Sequence, residues 1–249
     1  MNDEVLIIIP ARSSSTRIKN KNLKLLCKKS LLEIKIKNCL ISKIGKVLVS
    51  TDSKKIAKLS KKFGAWVPFL RPKKYSNSTS SMMSCVLHAL RKIKKERCLQ
   101  PKYVAILPIT YPFLHTKEIK KAFNYLKINK NKDSLCSYTK STNHPYEFID
   151  LKNNIIHFNL IKFKKKYLSD FERTQDYPDC YIHSGAIRIS KITYLKKFLL
   201  NTSNTVNENI VNFKSCIGYE ISKRSAFDIN YADDLRLAKL ISKNKNIYL

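Results

Sequence analysis

The chain has 249 residues, 43% hydrophobic and 27% charged, with 49 Lys and Arg against 18 Asp and Glu and a formal net charge of +31. That length accommodates one large α/β domain, or one domain with a sizeable excursion, and either can bury a substantial core. No run approaches the roughly 18 to 20 consecutive apolar residues that cross a bilayer, and the apolar run at 5–9, closed by Pro10 and Arg12, is too short and wrongly flanked for a signal peptide, so a cytoplasmic protein without membrane contact is expected. The cations are scattered along the whole chain beside abundant Lys, Asn and Ile and only 4 Gly, which reads as drift toward AT-rich codons. No basic stripe with interleaved aromatics and no reader motif supports a specific nucleic-acid partner. A basic protein still attracts anionic small molecules through its field. Cys27, Cys39, Cys85, Cys98, Cys136, Cys180 and Cys216 form no CxxC pair and no metal-ligand spacing, and are expected as reduced, partly buried thiols.

Residues 5–10 (VLIIIP) predict a central parallel strand covered on both faces. Residues 30–41 follow as a helix with Ser30 as N-cap, and residues 46–50 (KVLVS) as a second strand. Thr51, Asp52 and Ser53 can cap the next helix, whose positions Ile56, Leu59, Ser60 and Phe63 repeat at helical spacing until Gly64. Residues 65–70 read as a strand, 82–93 as a helix and 103–107 as a buried strand. This alternation defines an α/β protein with a doubly wound, mostly parallel sheet, in which ligands bind beyond the carboxyl ends of the strands. Residues 12–22, 50–53 and 110–112 cluster there. After about residue 140 the pattern loosens: 155–158 and 181–189 read as strands, and the polar, aromatic stretch between them is an oligomerisation arm, a lid or a plain surface loop. Residues 216–221 form a last strand, and 228–242 a carboxylate turn that continues as a helix.

The stretch ARSSSTRIKNKN, residues 11–22, is dense in cations and hydroxyls yet has no glycine. A triphosphate carries about four negative charges, so its site needs cations and donors on a short arc of backbone. Arg12, Arg17 and Lys21 supply charge; Ser13, Ser14, Ser15, Thr16 and Asn22 supply neutral donors. By composition alone the stretch is either a phosphate cradle or a basic surface turn. Asp228 likewise reads as a metal ligand or a helix N-cap, and His88 as a packed helix residue rather than a base.

The string I-P-A-R followed by S-T-R and K-N resembles the opening signature of the cytidylyltransferases that activate acidic sugars, the S-T-R form being typical of the branch that acts on the eight-carbon acid KDO. Residues 49–72, VSTDSKKIAKLSKKFGAWVPFLRP, are similar to the V-S-T-D, I-A, G-A, V-P-F, R-P pattern of the acylneuraminate (CMP-sialic acid synthetase) group. His88-Ala89-Leu90, Thr110 with Pro112, Arg173 with Gln175 and Asp176, Gly185-Ala186-Ile187, and Asp228-Ile229 with Asp233 or Asp234 continue the match in order. The resemblance implies a nucleotide-diphospho-sugar transferase type of fold that takes CTP and a nine-carbon 2-keto sugar acid and releases pyrophosphate, with Mg²⁺ as cofactor. It further implies a homodimer, formed through a dimerisation and sugar-binding excursion at about residues 140–215 of one α/β domain spanning 1–249. By the same resemblance Arg12, Ser15 and Lys21 hold the phosphates, with Arg17 beside them and Asn22 and the backbone at Ala11 near the nucleotide. Arg71 and Ser81 lie at the cytosine. Thr110, Arg173, Gln175 and Ser184 belong to the sugar side, where a surface ion pair is the other reading of Arg173. Asp228 and Asn230 stand at the metal, and Arg12, Lys21 and Asp228 carry the catalytic weight.

Departures from the family pattern cluster at the sugar and the metal. Ser14 replaces a glycine and Thr16 a lysine. Residues 108–114 read PITYPFL where the sialic acid enzymes have Q-P-T-S-P-L-R, and are nearer the pseudaminic acid branch's Y-P-T-A-P-F. Ser184 replaces an asparagine and Asn230 the second metal aspartate, which leaves open a catalytically weakened nucleotide-binding paralogue or an enzyme for a KDO-like acid.

Overall fold

The apolar run near the start of the chain forms β1 (Val5–Pro10), and its side chains divide between two cores. Val5, Ile7 and Ile9 enter one cluster, Leu6 and Ile8 the other, and all five are 0% exposed. A strand without polar alternation is what coverage on both faces requires, and each such side chain contributes roughly 2 kcal/mol through burial. The computed structural model describes residues 4–15, 17–95, 99–152, 155–158, 163–203, 205 and 208–243.

Beyond β1, the short hairpin β2 (Leu25–Leu26) and β3 (Lys29–Ser30) leads into α1 (Leu31–Ser42), β4 (Lys46–Ser50) and α2 (Lys54–Lys62). The chain continues through α3 (Met82–Lys95), β5 (Tyr103–Ile106), α4 (Thr116–Ile128) and β6 (Ser134–Lys140). Then come the hairpin β7 (Ile149–Lys152) and β8 (Ile155–Phe158), β9 (Tyr181–Lys191), α5 (Ile192–Lys196), β10 (Cys216–Glu220) and α6 (Ala232–Lys243). The main sheet has six strands in the order β10-β6-β9-β5-β1-β4. β1 pairs in parallel with β4 and β5, and β6 with β10; β9 alone runs antiparallel to both its neighbours. The doubly wound, mostly parallel α/β sheet expected from the sequence is therefore present.

Local chemistry accounts for the helix ends. Ser30 accepts the Glu33 N–H at 3.1 Å and Ser53 the Ile56 N–H at 3.2 Å, each filling an orphan donor of a first turn. Two elements unassigned from the sequence are α4 and β6. The first carries Ile119, Ala122, Phe123 and Leu126 on its buried face and a capping box between His115 and Glu118. Residues 65–70, expected as a strand, contribute only one parallel bridge, Trp66 to Leu48, because Pro68 interrupts the run. The expected excursion at 140–215 is narrower than drawn: β9 lies inside the main sheet, between β5 and β6. What stands apart from the sheet is the β7-β8 hairpin and an aromatic nest of His144, Tyr146, Phe171 and Tyr177.

Candidate active site

The loop after β1 is fixed without glycine. Ser13 donates its backbone N–H to Asp52 Oδ1 at 2.7 Å and its hydroxyl to the other oxygen of the same carboxylate. Asn22 Nδ2 donates to the Arg12 carbonyl at 2.9 Å, and Ser14 Oγ to the Ser76 carbonyl at 3.3 Å. Among the described residues of 11–22, only Asn20 has a positive φ, 56°, which turns the chain into the short helical turn Lys21–Leu23. Serine is tolerated at position 14 because it does not itself adopt the left-handed region.

This loop, the segment after β5 from Pro108 to Thr110, and Arg71 with the polar run before α3 enclose a cavity of about 420 Å³, to which Asn230 also contributes. Arg12, Arg17, Lys21 and Arg71 line it, with no acidic residue among the described residues of its wall. Arg71 is 5% exposed, and its donors reach only neutral groups: Nε to Ser76 Oγ at 2.9 Å and Nη1 to Cys85 Sγ at 2.7 Å. A guanidinium this buried without an ion pair calls for an anion or for acceptor atoms from a ligand. Arg12 Nη1 donates to the Asn77 carbonyl at 3.0 Å, and Lys21 Nζ to the Ile229 carbonyl at 2.8 Å. The Lys21 pKa is lowered, first by burial, while Asp228 opposes the shift. Four converging cations surrounded by hydroxyls make an anion cavity of nucleotide size.

Asp228 lies behind the cavity. Its Oδ2 accepts from Asn230 Nδ2 at 2.9 Å, and its Oδ1 is buried with no hydrogen-bond partner. Asn230 Oδ1 in turn accepts from Arg17 Nη1 at 3.1 Å. The helix-cap reading of Asp228 does not hold, since Asp234 Oδ2 takes the Asn230 and Tyr231 N–H groups at 2.8 and 2.7 Å. Tyr111 faces Asp228; burial, and then that carboxylate, push its phenol up to about 12.

Of the residues named from the sequence, Arg12, Ser15, Arg17, Lys21, Asn22, Arg71, Ser81, Thr110 and Asn230 share this cavity. Ala11 does not reach it: its side chain is 0% exposed and its N–H is consumed by the Ser50 carbonyl at 2.9 Å. Ser184 is also internal, its hydroxyl accepting the Ala186 N–H at 3.3 Å. Arg173 forms a two-pronged pair with Asp176 at 2.9 and 3.0 Å on the surface, and Gln175 lines a separate cavity beside His144 and Tyr177. His88 is enclosed between Phe69 and Tyr75 rather than aimed at the cavity. Thr16 falls outside the described residues. Tyr75, Asn77, Ser78 and Ser80 line the cationic cavity as well. The signal for them was the hydroxyl-rich run YSNSTSS ahead of α3, of which only Ser81 was singled out.

A mostly parallel α/β sheet with a cationic, hydroxyl-lined cavity beyond its carboxyl ends defines a nucleotide-binding enzyme of the nucleotidyltransferase class. The cytidylyltransferase family profile matches residues 6–244, and the chain belongs to that family. It is 27% identical over 250 residues to the post-translational flagellin modification protein B of Campylobacter coli, covering 98% of this chain and 97% of that protein. It is 28% identical over 243 residues to the pseudaminic acid cytidylyltransferase of Campylobacter jejuni subsp. jejuni, covering 96% of each. Among solved structures, a CMP:2-keto-3-deoxy-manno-octonic acid synthetase complexed with CTP superposes with a TM-score of 0.68 at 12% identity, over 96% of this chain and 99% of that one, a likeness of fold.

Proposed function

We propose that this chain transfers CMP from CTP to a nine-carbon 2-keto sugar acid of the sialic, legionaminic or pseudaminic type, releasing pyrophosphate and supplying an activated sugar for surface glycans. The observation that carries the reading is the cavity wall itself, with Arg12, Arg17, Lys21 and Arg71 and no acid among its described residues. In this chemistry the anomeric hydroxyl attacks the α-phosphorus and pyrophosphate leaves on the opposite side, which demands alignment and charge neutralisation rather than a covalent nucleophile. Lys21, Arg12 and Arg17 neutralise the phosphates, Ser15 and Asn22 donate to them, and Arg71 with Ser81 meets the base. Thr110 carries its side chain on the same wall, while its carbonyl anchors the Ile229 N–H at 2.9 Å.

The residues behind the cavity suit Mg²⁺. A buried carboxylate oxygen without a partner matches an ion that takes one or two protein oxygens and completes its shell with phosphate and water; Asn230 turns its amide nitrogen to Asp228, and its oxygen, here held by Arg17, is the second candidate ligand. Asp228 and Asn230 would hold it, and when bound it would offset the charge on the departing pyrophosphate. No cluster of three acidic, His or Cys residues occurs among the described residues, so the substrate's phosphates are needed to finish the site.

A homodimer through the 140–215 region is part of the same reading. Phe148, Ile149, Tyr181 and Ile182 support it, being 47 to 56% exposed on that side of the molecule. A partner there could bring Arg173 and Gln175 to a neighbouring site. Among the described residues no helix is long and apolar enough to cross a membrane; a cytoplasmic setting, where CTP is made, is proposed with the activity. The test is pyrophosphate release from CTP with a panel of these acids. No turnover with any of them, alongside normal CTP binding, removes the enzyme reading and leaves the fold.

A further inference from the structure

Residues 108–114, PITYPFL, carry no cation that could meet the carboxylate of a sugar acid. A second cavity of about 280 Å³ adjoins the first and shares Ser81 and Met82 with it. His183, Arg188, Glu208 and Phe213 are on its wall. Arg188 is half-buried on β9, and its side chain makes no hydrogen bond or ion pair with any described residue, Glu208 included. Its Nη2 overhangs Gly185: a Cβ built there would lie 2.8 Å from Nη2 and 2.8 Å from Tyr111 Oη. Tyr111 Oη accepts the Gly185 N–H at 3.1 Å and faces Asp228. One row of groups, Arg188, Gly185, Tyr111 and Asp228, thus leads from the second cavity to the carboxylate behind the first. His183 is engaged differently, beside the Cys136 thiol, whose pKa is lowered first by Cys216 and then by this imidazole. Arg188 remains as the cation with a free fork.

We infer that Arg188 is the specificity-determining residue that grips the carboxylate of the sugar acid, in the second cavity. The inference rests on the proposed CMP transfer. In a 2-keto sugar acid the carboxylate is attached to the same carbon as the attacking hydroxyl. A cation that grips the carboxylate at the Arg188 end of this row leaves that hydroxyl to face the first cavity, which the second adjoins at Ser81 and Met82. Guanidinium suits the task because its paired N–H groups match the two oxygens of a carboxylate, and half-burial strengthens the contact. The glycine at 185 is what admits the guanidinium to this position.

The experiment measures kcat and KM of wild type, Arg188→Gln and Arg188→Lys, with a sugar acid that the wild type turns over and with the same sugar as its C1 carboxamide. Wild type is expected to prefer the acid by about 10- to 100-fold in kcat/KM, the size of a charge-assisted hydrogen-bond pair. Arg188→Gln loses that preference, through a rise in KM for the acid, while KM for CTP stays within about twofold; Arg188→Lys is intermediate. A preference that survives in Arg188→Gln, or an equal loss with acid and amide, overturns the inference and leaves the transferase reading intact. No wild-type turnover with any acid overturns the underlying reading and this inference with it.

Discussion

The Lys21 ammonium donates to the Ile229 carbonyl at 2.8 Å, joining two segments 208 residues apart in the chain. The bond ties the loop after β1 to the turn that carries Asp228 and Asn230, so the cationic loop and the carboxylate behind the cavity are held in register. Replacing Lys21 with Met removes a partly desolvated charge and that tie together. KM for CTP is expected to rise about 100-fold and kcat to fall, in proportion to the loss of one charged contact or more. Steady-state pyrophosphate release measures both; unchanged constants would remove Lys21 from the site.

The Asp52 carboxylate holds both the N–H and the hydroxyl of Ser13. Asp52→Ala frees the cradle at its first turn without touching either core. The expected outcome is a KM for CTP raised about tenfold with little change in the melting temperature, since the lost bonds are exposed. A large drop in melting temperature would make Asp52 a stability residue instead.

Gly45 has no space for a side chain: a Cβ there would fall 2.0 Å from the Val5 carbonyl oxygen. Because the obstacle is backbone of β1, a strand buried on both faces, Gly45→Ala should cost about 3 kcal/mol, read from urea unfolding. At Gly185 the obstacles are the ends of Arg188 and Tyr111. Gly185→Ala is accordingly expected to cost less stability and more activity.

Asn230 donates to Asp228 and accepts from Arg17. In Asn230→Asp the donor becomes a second carboxylate beside the first, which repels it unless a cation intervenes. Thermal melts should show the variant less stable than wild type in a chelator, with the gap closing at millimolar Mg²⁺, and half-maximal activity reached at lower Mg²⁺. Identical melts with and without Mg²⁺ would count against a metal at this position.

His88 is buried with neither ring nitrogen hydrogen-bonded, and its pKa is lowered to about 4, first by burial and then by Arg91 and other cations nearby. The unfolded imidazole titrates at 6.5, so between that pH and about 4 the unfolded chain binds more protons. Stability attached to neutral His88 is complete above 6.5 and is lost as pH falls toward 4. His88→Leu should flatten the decline in unfolding free energy between pH 7 and 5; parallel curves for the two proteins would contradict this.

Much of the fold was legible because it depends on local rules. An unbroken apolar run at 5–10 can only be a doubly covered strand, and Ser30 and Ser53 mark helix starts by their hydroxyls. Helix α4 was equally well signed, by Ile119, Ala122, Phe123 and Leu126 at helical spacing, and went unassigned. The antiparallel insertion of β9 between β5 and β6 has no local signature, since its partners are distant in sequence.

By itself the sequence determined the α/β class, the cationic loop and the order of family motifs, because these follow from residue types at short spacings. Only the tertiary structure decided which cations converge. Arg12, Arg17, Lys21 and Arg71 meet in one cavity, while Arg173 turns to Asp176 on the surface. Tertiary structure also answers how a loop without glycine can serve as a cradle. Side chains from Asp52 and Asn22, with the Ser76 carbonyl, take up its hydrogen bonds, and among its described residues only Asn20 has a positive φ. Arg188 is the clearest case, because a lone arginine in a strand acquires meaning only when β9 sets it over Gly185 and beside Tyr111. Convergence of charge is a property of distances through space, and chain spacing does not encode it.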